Sequence, residues 1–478
     1  MNSVKKSRNW RKVYNKRRNK KIERNERKRK NKRKIRRLYK QSHQKISCEE
    51  AKFLSKIKSF EDAVNIFLPK NLKYILGRLH HYYSPIQWRA IHYREERIIL
   101  MPEVFSIIDN PKASYEIVYQ VIYLFINQKC TSIRFNYNRC KKVDLLTQVF
   151  FDAILKDIYD FMDLLAKKKL DKYCTLKNMG AFGYKNIYKI INTVGSPAIL
   201  INRLSDYSGV KPFRLRYFDA ENSSFTDKMS KKEMDTTEVL EYINRCLKTF
   251  HRELNPSALQ QLGYVIGEIL INAEEHSSTK ARYMIGYMEE IDVNNNNHNG
   301  VFNLVIMNFG KTIYEVFKYP DINTPVNQTC LSQMKELSDR FTNKKWFGIG
   351  GISEESLWTL YSLQQGVTRV PERKRGNGTI QFIESFFKLK DKDKVTDDDI
   401  SRMYLLSGKT VIEFDGKYRL RTEKDSNGLP RGTISFNESG SIFDKPDTNY
   451  VRTVDNYFPG TALYVRLLLN DNDFEDGK

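Results

Sequence analysis

The sequence predicts an α/β protein with two folded domains. A strand, helix, strand, helix order over residues 97–164 is typical of a small open sheet with helices packed on it. Residues 236–470 add a second set of amphipathic helices and strand-like runs. Hydrophobic residues make up 40% of the 478 residues, with 28 Tyr and 27 Phe, so a sizeable core can be buried.

The net charge of +25 is concentrated at the N-terminus. Residues 1–45 hold 22 Lys and Arg against two Glu, whereas the remaining residues hold 60 bases and 55 acids. We expect residues 1–48 to be a disordered or helical tail, because self-repulsion is strong and apolar residues are few. Trp10, Tyr14 and Tyr39 lie among the bases, a mixture that suits phosphate contacts and base stacking. Residues 1–45 are therefore predicted to contact nucleic acid; an acidic protein, a membrane surface or no specific partner are the alternatives.

Cysteine use and hydropathy indicate the compartment. The six cysteines are scattered without a CxxC pair, which favours reduced thiols over a disulfide framework or a zinc site. The sequence contains no run of 18 apolar residues, so it predicts no membrane span. No apolar segment follows the charged N-terminus, so we expect no secretory signal there. We expect a soluble cytoplasmic protein.

Residues 49–219 are predicted to form the first domain. Its layout resembles the STAS domains that act as antagonists of anti-sigma factors, in which a Ser near the start of a helix accepts phosphate. The matching place here is residues 142–146, KVDLL, with no Ser and with Thr147 only nearby. We expect the phosphorylation switch to be absent. Residues 220–235 are polar and are interpreted as a linker.

The second domain, residues 236–470, is organised around one helix that begins at Asn255 and Pro256, a capping residue followed by a proline at the first helical position. Leu259, Leu262, Ile266, Ile269, Leu270 and Ala273 recur at helical spacing and predict its apolar face. Glu268, Asn272 and His276 are four residues apart and form a polar stripe beside that face. An amphipathic helix with polar border residues is the plainer interpretation.

Further motifs follow in a fixed order. A predicted strand ends at Asn308 and Gly310, where a glycine lets backbone approach a ligand closely. Residues 376–379, GNGT, then open a helix whose unpaired N–H groups suit a phosphate. Thr461 begins a late strand, and residues 471–478 are an acidic tail.

This order resembles the GHKL superfamily, the ATP-binding fold of gyrase B, Hsp90, MutL and histidine kinases. Residues 267–277, GEILINAEEHS, match its first box, nearest to kinase and anti-sigma-factor members. The resemblance implies an α/β sandwich with a mixed sheet and helices on one face. It also implies ATP and Mg²⁺ as cofactors.

The resemblance assigns a role to each position. Asn272 would bind Mg²⁺, and Glu268 would orient or deprotonate the attacking water or hydroxyl. His276 would reach phosphate or cap the pocket. The remaining nucleotide contacts would come from Asn308 and Gly310 at the adenine, from Gly376, Asn377, Gly378 and Thr379 at the phosphates, and from Thr461. Residues 373–375, RKR, pair with phosphate or form an exposed lid.

One position departs from the family pattern, and one motif is a decoy. The family has Asp where Asn308 stands, so loss of the charge predicts weaker or less strict adenine binding. His251 and Pro256 resemble the phosphoacceptor box of sensor kinases, but no dimerising hairpin fits before Gly267, so we reject this site.

Three functions remain open from the sequence. The first is an ATPase or an anti-sigma-like serine/threonine kinase. The second is a nucleotide-gated binding switch without significant catalysis, and the third is a degenerate structural module. A protein partner is expected, and a homodimer is compatible with the sequence.

Overall fold

A computed structural model describes most of the chain outside the N-terminal tail. The described residues are 19, 23, 25–30, 33, 68–82, 95–126, 130–167, 175–177, 182–195, 207, 209–219, 224–249, 251–275, 281–292, 298–319, 327–342, 352–367, 378–390, 401–424, 430–469 and 473–476. The chain divides into two compact units, Met1–Leu68 with Asp160–Tyr173, and Pro69–Tyr159 with Cys174–Lys478. In the tail, residues 25–30 are helical and exposed, and most of the predicted nucleic-acid contact lies outside the described residues.

The first part of the chain alternates strands and helices, as the sequence predicts. The elements are α1 (Lys70–Tyr82), β1 (Glu95–Leu100), β2 (Val104–Phe105), α2 (Pro111–Ile126), β3 (Cys130–Asn136), β4 (Lys142–Val143), α3 (Leu145–Lys167), β5 (Thr175–Lys177) and α4 (Lys185–Val194). Strands β1, β3 and β5 pair in parallel in that order, and β2 pairs in parallel with β4. Helical crossovers between parallel strands account for this layout.

The second part of the chain contains the larger sheet. Its elements are β6 (Val210–Asp219), α5 (Phe225–Lys248), β7 (Arg252–Leu254), α6 (Pro256–Glu275), β8 (Ala281–Asp292), β9 (His298–Phe309), α7 (Ile313–Lys318), α8 (Gln328–Thr342), α9 (Glu354–Ser362), α10 (Gly378–Lys390), β10 (Arg402–Phe414), β11 (Arg421–Lys424), β12 (Pro430–Thr433), β13 (Val451–Leu469) and β14 (Phe474–Asp476). None of the helices in the described ranges is long and apolar enough to cross a membrane.

Five strands form this sheet in the order β10-β13-β9-β8-β6. All four pairings are antiparallel, so the predicted mixed sheet is wrong. The reason lies in the connections. Strand β9 follows β8 after a short Asn-rich segment and pairs with it antiparallel as a hairpin. Strand β13 pairs antiparallel with β10, from which β11 and β12 separate it along the chain.

Both faces of the sheet are covered, so the predicted arrangement with helices on one face is wrong. Helices from the N-terminal part of the chain occupy the second face. Helices α5, α6 and α10 pack on one face, called the helical face here, and share one apolar core with the sheet. Helices α1 and α2 pack on the other face against β13, where Phe150 of α3 also contacts β9 and β13. We call this the N-terminal face. Burial on both sides explains why β13 reads as a nearly continuous apolar run from Tyr457 to Leu469.

Two segments differ from the sequence expectation. The predicted linker, residues 220–235, is helical from Phe225 onward, and β6 belongs to the antiparallel sheet although it was assigned to residues 49–219. Asp235 explains the helix, because its carboxylate is fully buried 2.7 Å from the guanidinium of Arg282 on β8. In the predicted acidic tail, Phe474–Asp476 pairs with β7.

Candidate functional site

Helix α6 carries the first group of predicted site residues. Its start is capped as expected: Oδ1 of Asn255 accepts a hydrogen bond from the backbone N–H of Ala258 at 2.9 Å. The buried face consists of Ala258, Leu262, Val265, Ile266, Ile269, Leu270 and Ala273. Leu259 was predicted to belong to this face but is 38% exposed. Helical spacing aligns it with the buried Ile266 and Leu270, but it lies in the first turn of the helix.

The polar stripe follows the C-terminal half of α6. Glu268 is partly exposed, and Asn272 lies one turn further along the same helix. The orientation of the Asn272 side chain lies outside the described residues, as does His276. Glu268 and Asn272 therefore share one side of the helix by their spacing, close to its C-terminal end.

Helix α10 carries the second group and packs along α6 on the helical face of the sheet. It begins at Gly378, followed by the half-buried Thr379. Gly376, Asn377 and residues 373–375 lie outside the described residues. The structure thus brings together the two helices on which the sequence placed the magnesium ligand and the phosphate loop.

A polar row crosses three strands beneath the last turn of α6. Asn308 of β9 lies opposite Thr461 of β13, which lies opposite Ser407 of β10. The hydroxyls of Thr461 and Ser407 are 3.0 Å apart. Nδ2 of Asn308 donates to the carbonyl of Ala273 at 2.7 Å, one residue from Asn272. The buried ion pair of Arg282 and Asp235 lies at the same end of the sheet, and apolar side chains fill most of the rest of this face.

Two glycines, Gly310 after β9 and Gly460 in β13, lie at the end of the sheet that carries the polar row. Gly310 has a φ of 152° and donates its N–H to the carbonyl of Pro459 at 3.1 Å. Gly460 has a φ of 155°, and a Cβ there would lie 2.1 Å from the carbonyl oxygen of Asn308. Both positions need glycine, since a side chain would meet strain at Gly310 and a direct clash at Gly460.

The side chain of Asn308 has a structural duty that the sequence did not reveal. It is fully buried, and its Oδ1 accepts the N–H of Thr461 at 3.2 Å while its Nδ2 donates to α6. An amide has a second lone pair and a second N–H, so it can still offer one acceptor and one donor to a ligand. An aspartate would place an acceptor against the carbonyl of Ala273.

Two acidic side chains lie beside the row: Glu355 at the N-terminus of α9 and Glu315 on α7. Burial raises the pKa of Glu355 to about 7, with a further contribution from the neighbouring Glu315. Oε1 of Glu355 accepts the N–H of Lys409 at 2.9 Å. The carboxylate of Glu315 accepts from the N–H of Thr312 at 3.0 Å and from the hydroxyl of Tyr457 at 3.1 Å. These groups fasten α7 and α9 to β10 and β13, next to Ser407.

Thr147 has a structural role in the N-terminal part of the chain. Thr147, the residue nearest the STAS phosphate acceptor, is fully buried; its hydroxyl donates to Asp144 at 2.7 Å and accepts from the N–H of Ile107 at 2.7 Å. His251 precedes β7, separate from α6. A cavity of about 640 Å³ lies between α10 and the hairpin of β11 and β12, and none of the predicted site residues that the structure describes lines it.

Comparison with protein-family models, with curated proteins and with solved structures finds no match. Among the residues that the structure describes, no group of three His, Cys, Asp or Glu is placed to hold a metal ion. An asparagine ligand that completes its shell with phosphates would leave no such group.

Two residues of the site were missed by the sequence reading. Ser407 joins the polar row, and Gly460 makes the close approach to Asn308. The only sequence signal for Ser407 is a Ser-Gly pair that interrupts the strand after the apolar run of residues 403–406. Its place beside Thr461 follows from strand register, which a single sequence does not specify.

Proposed function

We propose that residues 236–470 bind Mg-ATP in the manner of the GHKL superfamily, and that the bound ATP is hydrolysed or its phosphate transferred to a protein hydroxyl. The observation that carries this proposal is the packing of α6 along α10, with the last turn of α6 held by Asn308 to the polar row that it forms with Thr461 and Ser407. A nucleotide lying along this seam would meet the row with its base and the start of α10 with its phosphates.

The chemistry of each position supports this orientation. The buried amide of Asn308 offers both a donor and an acceptor, which match the adjacent amino group and ring nitrogen of adenine. The glycine at the start of α10 and the helix dipole favour phosphate there. Asn272 and Glu268 lie on the C-terminal half of α6, next to the carbonyl of Ala273 that Asn308 contacts, and they would supply a ligand for a hard cation and a general base.

Calorimetric titration of the full chain with Mg-ATP tests the binding. We expect the wild type to bind and Asn272→Ala to lose roughly tenfold or more in affinity, since the magnesium loses a protein ligand. Gln260→Ala is the matched control, because it removes an exposed amide from the N-terminal half of the same helix. Equal affinity of Asn272→Ala and Gln260→Ala would refute the assignment of the magnesium ligand, and a wild type without binding would refute the function.

Turnover separates the catalytic proposal from its alternative. Glu268→Gln keeps the shape of the side chain and removes its basicity, so we expect it to bind ATP and to release phosphate at a small fraction of the wild-type rate. A wild type that binds ATP but neither hydrolyses it nor phosphorylates a protein would leave the nucleotide-gated switch as the function.

The basic N-terminal tail is a second candidate binding element. We propose that residues 1–45 contact nucleic acid through their 22 bases. Deletion of residues 1–45 is expected to abolish binding of a labelled oligonucleotide and to remove its steep salt dependence. Unchanged binding by the deleted chain would contradict this role.

A further inference from the structure

Phe150 of α3 lies directly behind the proposed nucleotide site. Its side chain is fully buried, and its ring centroid is 6.0 Å from that of Phe309 and 5.1 Å from that of Phe458. It belongs to the N-terminal part of the chain, whereas both partners belong to the antiparallel sheet. The contact therefore joins the two parts at the end of the sheet where the polar row lies.

Phe309 and Phe458 belong to the same two backbone segments that form the proposed site. Phe309 lies between Asn308 and Gly310, and alternation along β9 sends its ring to the N-terminal face while Asn308 points to the helical face. Phe458 precedes Pro459 and Gly460. The hydrogen bond from Gly310 to Pro459 ties these turns to each other at 3.1 Å. A shift of either ring therefore moves the backbone that carries Asn308 or Thr461.

Other helices of the N-terminal part enclose the same rings. Phe309 also packs against Tyr283 at 5.8 Å, and the hydroxyl of Tyr283 accepts a hydrogen bond of 2.7 Å from Asn71 of α1. Phe150 packs against Tyr115 of α2 at 5.9 Å. Phe150 of α3 contacts Phe309 and Phe458 directly, whereas α1 reaches this cluster through Tyr283 and α2 through Phe150. Interiors packed in this way transmit small displacements.

We propose that Phe150 is a positioning residue for the nucleotide: it holds the turns at Gly310 and Gly460 so that the base end of the site is formed. The role rests on the proposed function, because it names what sets the affinity of that same site. It also gives the N-terminal part a purpose in regulation. Any partner that shifts α3 changes nucleotide affinity, and by linkage bound nucleotide changes the affinity for that partner equally.

The neighbouring residue supplies a matched control. Phe151 is also fully buried on α3, but its ring packs against Phe105 at 5.6 Å and Phe135 at 5.1 Å, on the parallel strands. Phe150→Leu and Phe151→Leu remove the same atoms from the same helix. Only Phe150→Leu removes them from the ring cluster that packs against Phe309 and Phe458.

The test is calorimetry of both full-length variants with Mg-ATP and with Mg-ADP, at a temperature where circular dichroism shows them folded. We expect Phe150→Leu to weaken binding roughly tenfold, by the same factor for ATP and ADP, because the base end is common to both. Phe151→Leu should bind within about twofold of the wild type, a difference too small to indicate coupling. Phe150→Met, which refills the volume with a flexible side chain, serves if the leucine variant does not fold and should also weaken binding.

The outcomes separate this role from the proposed function. Wild-type affinity in the Phe150 variant, or an equal loss in both variants, would overturn the positioning role while the nucleotide site stands. A loss confined to ATP would overturn it as well, since it would place the effect at the phosphates. A wild type that takes up no nucleotide would overturn the proposed function itself, and this role with it.

Discussion

Asn308 has a structural role that favours an amide over a carboxylate at this position. Its amide joins α6 to β13 by donating to the carbonyl of Ala273 and accepting from the N–H of Thr461. An ionised aspartate has acceptors only, so it would repel the carbonyl of Ala273 in a fully buried place. The amide therefore holds α6 and β13 together at the proposed site.

Asn308→Asp is expected to destabilise the fold by roughly 1–3 kcal/mol at pH 8, the cost of a buried polar group facing the wrong partner. The penalty should shrink at pH 5, because a protonated carboxyl can donate to Ala273. Chemical denaturation at both pH values measures it. The same penalty at pH 5 and pH 8 would contradict the hydrogen-bond assignment.

Two neighbouring glutamates on α9 should respond to pH in opposite directions. Burial raises the pKa of Glu355 from 4.5 to about 7, so the stabilising contribution of this group is complete below pH 4.5 and is lost as the pH rises towards 7. Burial also acts to raise the pKa of Glu354, but hydrogen bonds from Tyr314 and Lys318 outweigh it and the pKa is lowered. The contribution of Glu354 is therefore present above pH 4.5 and is lost in acid.

Glu355→Gln should gain stability relative to the wild type between pH 4 and pH 8, by an amount of the order of 1–3 kcal/mol. Glu354→Gln should lose stability over the same interval. Denaturant midpoints of the three proteins at the two pH values measure both effects. Parallel pH curves for the two variants would show that the local environments are wrongly assigned.

At the scale of elements, helix α5 is fixed to the sheet by a buried ion pair. Asp235 and Arg282 are 2.7 Å apart and both are fully buried, and Lys231 adds a second partner to Asp235 at 3.0 Å. The guanidinium of Arg282 also lies 5.1 Å from the ring centre of Phe218 on β6. One side chain thus joins α5, β6 and β8.

Arg282→Ala should destabilise the protein by about 3–5 kcal/mol, because it leaves a buried carboxylate without its main partner. The double variant Arg282→Met with Asp235→Leu should recover most of that loss, since it leaves neither charge behind. Thermal unfolding of the wild type, the single variant and the double variant measures the recovery. A double variant as unstable as Arg282→Ala would contradict a dominant role for the uncompensated charge.

The same ion pair shows where sequence reasoning succeeds and where it stops. Helices such as Pro256–Glu275 and Leu145–Lys167 are predicted from apolar periodicity and, at Asn255, from capping, because these signals are local. The start of α5 was read as a linker, because the partner that makes a buried Asp235 favourable lies 47 positions away at Arg282. Likewise Asn308 and Thr461 were predicted as site residues, but the register that adds Ser407 could not be.

At the scale of the molecule, the antiparallel sheet depends on both parts of the chain. Its N-terminal face buries Phe309, Tyr283 and Phe458 against helices α1, α2 and α3, and its edge strand β6 precedes the predicted second domain. A boundary at residue 236 would expose that face and remove β6. Packing, rather than sequence composition, therefore defines what folds together.

A fragment of residues 236–478 is expected to be unstable or to aggregate, because it exposes a contiguous apolar surface and an unpaired edge at β8. Binding of a hydrophobic dye and light scattering compare it with the full chain under the same conditions. A monomeric fragment that melts at the temperature of the full chain would contradict the dependence on both parts.

The proposed function requires a nucleotide base to lie at the polar row between α6 and β13. Photolabelling of the full chain with 8-azido-ATP and Mg²⁺, followed by peptide mapping, tests that position directly. We expect label on peptides that contain Asn308 or Thr461, and loss of that label when unmodified ATP competes. Label on the residues that line the cavity beside α10, such as Gln381 or Arg419, or label that ATP does not displace, would contradict it.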